Sequence, residues 1–192
     1  YYDGSNPDAL FKEFDQGNYS MARVFPNSGG YKDVEAKYGD NVFYSQPTGT
    51  TYNVTFNLDR QSYNATSKKT DQEKADTKKA ILNKNFRLAV EFAINKTDYN
   101  AQNVGKTGAE NAIRNMLTPD SFVTIDGKNY GEVVQEKLVK LDPDTFSDVK
   151  LADSQEGWFN ADKAKSLFEK AKSDLQAQGV QFPIHLDLPQ NE

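Results

Sequence analysis

The stretch "LNKNFRLAVEFAINKTDY" (82–99) decides how this chain is read. Phe86, Leu88, Ala89, Val90, Phe92, Ala93 and Ile94 make it nearly apolar, yet Arg87 and Glu91 stand inside it four residues apart. The pattern predicts a packed helix, with further helix to about Val104. Side chains four residues apart on a helix are neighbours, and an exposed Arg–Glu pair contributes only about 0.2–0.5 kcal/mol. An unpaired charge buried on an apolar helix is expensive. The pair therefore reads as a strut at the edge of a packed helix.

Working outward, Asn6 or Asp8 caps a short helix, "PDALFKEFDQ" (7–16), stopped by Gly17, and "YKDVEAKYGD" (31–40) holds another. "NYSMARVF" (18–25), "NVFYSQ" (41–46) and "TTYNVTFNLD" (50–59) read as strands. The last alternates cleanly, with Tyr52, Val54, Phe56 and Leu58 on one face and Asn53, Thr55, Asn57 and Asp59 on the other. Residues 60–79 are almost entirely polar and read as a solvated loop running into a charged helical turn. "VGKTGAENAIRNMLTPDSFVTIDGKNYG" (104–131) holds a short helix and an irregular loop, "GEVVQEKLVKL" (131–141) is helical, and 142–158 reads as loop. Asn160 caps the clearest helix, in which Ala164, Leu167, Phe168, Ala171 and Leu175 recur with helical spacing until Gly179 ends it. "QFPIHLDL" (181–188) reads as a strand with Phe182, Ile184, Leu186 and Leu188 on one face. The class is α/β in the mixed α+β sense.

Composition narrows the function. The chain has 192 residues, 36% hydrophobic and 27% charged, with 12 Phe, 10 Tyr and 1 Trp. Each buried aromatic removes roughly 150–250 Å² from water, so a core is within reach. Net charge is −5, and no basic cluster suits a phosphate backbone, which argues against nucleic acid. There are no cysteines, which removes disulfides and thiolate chemistry. No apolar run approaches the roughly 20 residues that span a bilayer. The chain begins "YYDGSNPDAL" without Met and ends "DLPQNE", and it reads as a segment of a longer protein.

No catalytic constellation emerges. His185, the single His, is followed two residues on by Asp187, but no nucleophile-elbow Ser and no Cys accompany the pair. "DPDTFSD" (142–148) and "TIDGKNYGE" (124–132) scatter oxygen ligands without calcium-loop spacing. "VGKTG" (104–108) lacks the Gly five residues before its Gly-Lys-Thr that a phosphate loop needs, since position 100 is Asn100. Sequons begin at Asn18, Asn53, Asn64 and Asn95, as Asn- and Thr-rich chains produce by chance.

Six ordered blocks carry a resemblance: "GNYSMARVFP" (17–26), "YNVTFNLDR" (52–60), "NFRLAVEFAINKTDY" (85–99), "MLTPDSFV" (116–123), "FNADKAKSLFEKAKSDL" (159–175) and "FPIHLDLP" (182–189). Together they resemble the peptide-binding branch of the extracellular solute-binding proteins of ABC importers. "YYDGSNPD" (1–8) and the polar run at 60–84 resemble the oligopeptide-binding lipoproteins of Gram-positive, streptococcal-type bacteria in particular.

The resemblance implies part of a two-lobe clamshell of the type II periplasmic-binding kind, with residues 1–50 in the larger lobe and 51–192 beginning the second. It implies short peptides as ligand, permease subunits as partners and no cofactor, metal or enzymatic activity. It also implies a monomer on the outer face of the membrane, held by a lipid anchor outside this segment. Tyr52 matches a cleft-lining aromatic of relatives, with Asn53 and Asn57 as polar neighbours; the plain alternative is ordinary strand residues. Rival readings are another solute of the same superfamily (dipeptide, nickel or heme), a carbohydrate-active enzyme using surface carboxylates, and a peptide-sensing or adhesive surface protein.

Overall fold

The computed structural model of the chain describes residues 6–26, 28–43, 45, 50–106 and 108–188. Its helices are α1 (Pro7–Asp15), α2 (Tyr31–Tyr38), α3 (Asp71–Leu82), α4 (Lys84–Ala93), α5 (Lys96–Val104), α6 (Tyr130–Leu141), α7 (Pro143–Phe146) and α8 (Ala161–Ala177). The sheet among the described residues is a single antiparallel hairpin, β1 (Thr124–Ile125) with β2 (Lys128–Asn129). The class is thus mixed and mostly helical. The chain divides into two compact units, each made of two separate stretches. Unit 1 is Tyr1–Tyr52 with Asn95–Gly157, and unit 2 is Asn53–Ile94 with Trp158–Glu192.

In unit 1, Asn6 caps α1 by accepting from the Asp8 N–H, and a proline sits in the first turn where its missing donor costs nothing. Phe11 and Phe14 meet the Tyr38 ring of α2 edge-on at 6.1 and 5.3 Å, a geometry favoured by aromatic quadrupoles. Asp15 accepts from Lys37 and from the Tyr38 hydroxyl, which holds its carboxyl below the usual range. Ile113, Phe146, Val149 and Leu151 are buried in the other stretch. The hairpin turns through Asp126 and Gly127, with φ of +51° and +82°. Two consecutive positive φ values are what a two-residue primed turn needs, and Asp-Gly supplies them cheaply. Gly105, at φ +76°, lies against the Pro26 carbonyl, so a side chain there would be strained and obstructed.

In unit 2, α4 lies along α8. Phe86, Ala80, Ala171, Leu175 and Val180 form the core, joined by Phe168, Phe182 and Ile184. Phe168 stands 6.5 Å from the Phe86 ring and 6.0 Å from that of Phe182. Burying each such side chain fully contributes roughly 1.5–3 kcal/mol. Asn83 ends one helix and starts the next: its N–H closes α3 on Lys79 and Ala80, and its side chain accepts from the Phe86 N–H. Arg87 donates to the Ile81 carbonyl at 2.7 Å. Its guanidinium therefore ties α4 to the last turn of α3, which is a strut, though its partner there is backbone.

Three expectations change. The polar run at 60–79 was expected to end in a helical turn; it yields the three-turn α3, started by a full capping box between Thr70 and Glu73. The segment 142–158 contains α7 as well as loop. The strands expected at 18–25, 50–59 and 181–188 are not strands: among the described residues none pairs with a neighbour. A strand is defined by its ladder partner, which local composition does not supply. Of 41–46, Asn41 closes a 3-10 turn, and positions 44 and 46 fall outside the described residues.

Candidate functional site

A polar cluster among the described residues of unit 2 is built on Asp187. Its Oδ2 accepts from Arg60 Nη1 at 2.6 Å, Lys68 Nζ at 2.7 Å and Thr66 Oγ1 at 2.7 Å, and its Oδ1 from the Ser67 N–H at 3.3 Å. Arg60 also donates to the carbonyls of Ser62 and Ala65 and stacks 4.2 Å over the Tyr63 ring. The loop from 60 to 68 is thereby wound around one carboxylate. The Lys68 side chain is 1% exposed and that of Asp187 10%. The Lys68 ammonium, followed by the Arg60 guanidinium, holds the Asp187 carboxyl far below the usual carboxylate range.

Beside this cluster a cleft of about 220 Å³ opens between the first turns of α3 and residues 181–185, with Lys68, Thr70, Glu73, Asp76, Gln181 and His185 on its walls. Glu73 accepts the N–H groups of Thr70 (2.8 Å) and Lys69 (2.6 Å), and these, Thr70 first, lower its pKa. Asp76, 3% exposed, accepts from Gln72 Nε2 at 2.8 Å and from the Gln181 N–H at 3.1 Å. These acidic side chains are engaged by the protein's own donors. They brace the walls of the cleft.

A second polar cluster lies in unit 1. Asp120 is 8% exposed, and burial, reinforced by neighbouring Asp153, pushes its carboxyl above the usual value. Asp153 Oδ2 accepts the Asp120 N–H at 3.1 Å and lies 3.7 Å from Arg114 Nη1. Among the described residues no three His, Cys, Asp or Glu side chains gather as a metal site would need.

The residues singled out from sequence fall as follows. Tyr52, 93% exposed, ends the first stretch of unit 1, while Asn53 and Asn57 are exposed in unit 2. Asn57 Oδ1 accepts the Asp59 N–H at 3.1 Å and so shapes the turn after the segment. Asp187 is taken up by Arg60, Lys68 and Thr66 rather than serving His185 as an orienting group. Asp142 caps α7 by accepting the Thr145 N–H, and 124–129 is the hairpin. Asn95, within a sequon, caps α5. Sequence reasoning missed Arg60, Thr66 and Lys68, whose common partner lies more than a hundred residues away.

No family model matches the chain. It is 49% identical over 187 residues to oligopeptide-binding protein AliB of Streptococcus pneumoniae, covering 97% of this chain and 28% of AliB. It is 49% identical over 189 residues to oligopeptide-binding protein AliA of the same species, and 44% identical over 189 residues to oligopeptide-binding protein SarA of Streptococcus gordonii. In both cases the match covers 98% of this chain and 28% of the relative. The chain thus spans well under a third of the length of these curated relatives. Over nearly its whole length it is a homologue of the streptococcal oligopeptide-binding proteins.

Proposed function

We propose that this chain is part of a surface peptide-binding protein that captures short peptides and hands them to the permease of an ABC importer. The identity of 49% across 97% of the chain to a protein named for oligopeptide binding carries this reading. The parent protein is a two-lobe clamshell, a monomer, lipid-anchored outside this segment, and neither an enzyme nor cofactor-dependent. The relatives' names, which describe oligopeptide binding, support the non-enzymatic part. Residues 1–50 belong to the larger lobe and 51–192 to the second; the compact units interleave, so units and lobes are different divisions. Tyr52, Asn53 and Asn57 face the peptide. Main-chain hydrogen bonds and hydrated pockets give such a site tolerance for many side chains.

The test replaces the matched stretch of AliB with this chain and titrates the chimera with a mixed peptide library by calorimetry. Micromolar binding by the chimera, with none by the isolated 192-residue chain, is the expected result. Tyr52→Ala in the chimera weakens binding about tenfold, a hot-spot-sized loss. A folded chimera that binds no peptide, or that takes up nickel or heme instead, overturns the reading, and micromolar binding by the isolated chain overturns the claim that the grip lies mostly elsewhere.

A further inference from the structure

In unit 1, residues 120–131 run through the 3-10 turn Asp120–Phe122, the β1–β2 hairpin and the start of α6, and these elements pack on one another. The Tyr130 N–H donates to the Val123 carbonyl at 2.9 Å and closes the segment on itself. Asp120 ties the segment to the stretch that ends at Asp153, because its N–H donates to Asp153 Oδ2 at 3.1 Å. Its carboxyl, in turn, lies over the first turn of α6. A Cβ on Gly131 would stand 2.0 Å from Asp120 Oδ1, so a glycine is needed for the approach. The donors met there are the Gly131 N–H and Asn129 Nδ2, the latter 3.4 Å from Oδ2.

The charges that act on the Asp120 carboxyl share its sign. Asp153 faces it from the neighbouring stretch and Glu132 from α6. Glu132 Oε2 accepts the Asn129 N–H at 2.7 Å, and Arg114 Nη1 stands 3.7 Å from Asp153 Oδ2. Asp153 Oδ1 is buried with no hydrogen-bond partner among the described residues. Burial disfavours an ionised carboxylate, and a like charge beside it adds to the penalty. Ionising Asp120 therefore opposes the contact that its own N–H makes, and a proton on it relieves the opposition.

We propose that the Asp120–Asp153 contact is a proton-dependent latch: protonated Asp120 holds residues 120–131 against Asp153, and its ionisation loosens them while the rest of unit 1 stays folded. The sign follows from the direction in which burial and Asp153 push the carboxyl, which is upward. A group with a raised folded pKa stabilises below its unfolded pKa and loses that contribution as pH rises through the folded value. The latch is thus closed on the acid side and opens toward neutral pH. The single His of the chain, His185, is in unit 2, so no imidazole of unit 1 titrates in the same window. The device is independent of which solute the parent protein binds.

Nuclear magnetic resonance on the labelled 192-residue chain tests it between pH 4 and 8. The carbon signal of the Asp120 carboxyl gives its titration midpoint, and hydrogen exchange of the Asp120 and Tyr130 amides, corrected for intrinsic rates, gives their protection. A midpoint above the ordinary ~3.9 is expected. Protection of both amides is expected to fall at least ~3-fold through that same midpoint, while amides of α8 in unit 2 change little. Asp120→Asn, which carries no charge at any pH, keeps the acid-side protection up to pH 8. Asp153→Asn lowers the Asp120 midpoint and shrinks the fall. A midpoint at or below ~3.9, protection that is flat across the range, or a fall that persists in Asp120→Asn each overturns the proposal. If Asp120→Asn unfolds unit 1, the wild-type titration and Asp153→Asn decide: a fall unchanged by Asp153→Asn overturns it. Peptide binding enters none of these readings, so its failure leaves the latch standing and the reverse holds too.

Discussion

Replacing Asp187 by Ala removes the acceptor shared by Lys68, Arg60 and Thr66. The cost is set by what is left behind. The Lys68 side chain is 1% exposed, so its ammonium has no direct route to water, whereas Arg60 at 22% can turn outward. Breaking a buried pair by deleting one partner costs about 3–5 kcal/mol, and the relief available to Arg60 places Asp187→Ala near the lower end, about 3 kcal/mol. Lys68→Met is milder, about 1 kcal/mol, because Asp187 keeps Arg60, Thr66 and the Ser67 N–H. Removing both charges together, as Asp187→Leu with Lys68→Met, costs less than Asp187→Ala alone. Urea unfolding followed by Trp158 fluorescence measures all three. Trp158 is the single Trp and stands 5.7 Å from Phe92 inside unit 2, so it reports the unit that carries the cluster.

The pH dependence has a definite sign. The folded pKa of Asp187 lies below its unfolded value of about 3.9. Its contribution is therefore fully present above pH ~4 and is lost as pH falls through the folded value. The difference between wild type and Asp187→Ala is flat from pH 8 to 5 and shrinks below pH ~4. A cost for Asp187→Ala below ~1 kcal/mol at pH 7, or one no larger than that of Lys68→Met, refutes the reasoning that Lys68 is a stranded buried charge.

Two further predictions concern the two units separately. Leu175→Ala empties a fully buried site bordered by Phe86, Ala171 and Val180, and costs about 3 kcal/mol in the Trp158-monitored transition, within the range for core leucines. Asp120 has a folded pKa above its unfolded one, because burial and Asp153 disfavour its charge. Wild-type stability from this group is present below the unfolded pKa and lost as pH rises through the folded value. Asp120→Asn removes that loss, so the variant's stability relative to wild type is greater at pH 7 than at pH 4 in far-UV circular dichroism melts; a difference independent of pH contradicts it.

The helices were legible because their signals are local. Asn6, Asn83, Asn95 and Asn160 all accept from an N–H two or three residues ahead, as helix-capping side chains do. Leu167, Ala171 and Leu175 point into the core at the spacing their positions announce. Two local signals went unread: the Thr70-to-Glu73 spacing of the capping box and the Asp126-Gly127 turn of the hairpin. The strands were overread because alternation in 50–59 and 181–188 states a preference, and only a partner edge turns preference into a ladder. The Asp187 cluster was illegible for the same reason at longer range. Nothing near Arg60 or Lys68 announces an acceptor 127 or 119 residues away.

The order of the elements raises a question that the contacts answer. The core of unit 2 needs α4 against α8, and between them lies the whole second stretch of unit 1. Closing a flexible loop of about 60 residues costs about 4 kcal/mol in chain entropy, before any constant term. The inserted stretch draws its own ends together. Glu156 Oε2 accepts the N–H groups of Lys96 and Thr97 at 2.8 and 3.2 Å, in the first turn of α5, where a carboxylate also meets the positive end of the helix. Lys150 donates to the Gly157 carbonyl at 3.0 Å and fixes the outgoing strand of chain. In unit 2 the counterpart is the Asn160 N–H on the Phe92 carbonyl at 2.9 Å, which begins α8 beside the last turn of α4. Each unit thus closes its own ends with its own contacts, which lowers the chain entropy left to be met when α4 meets α8.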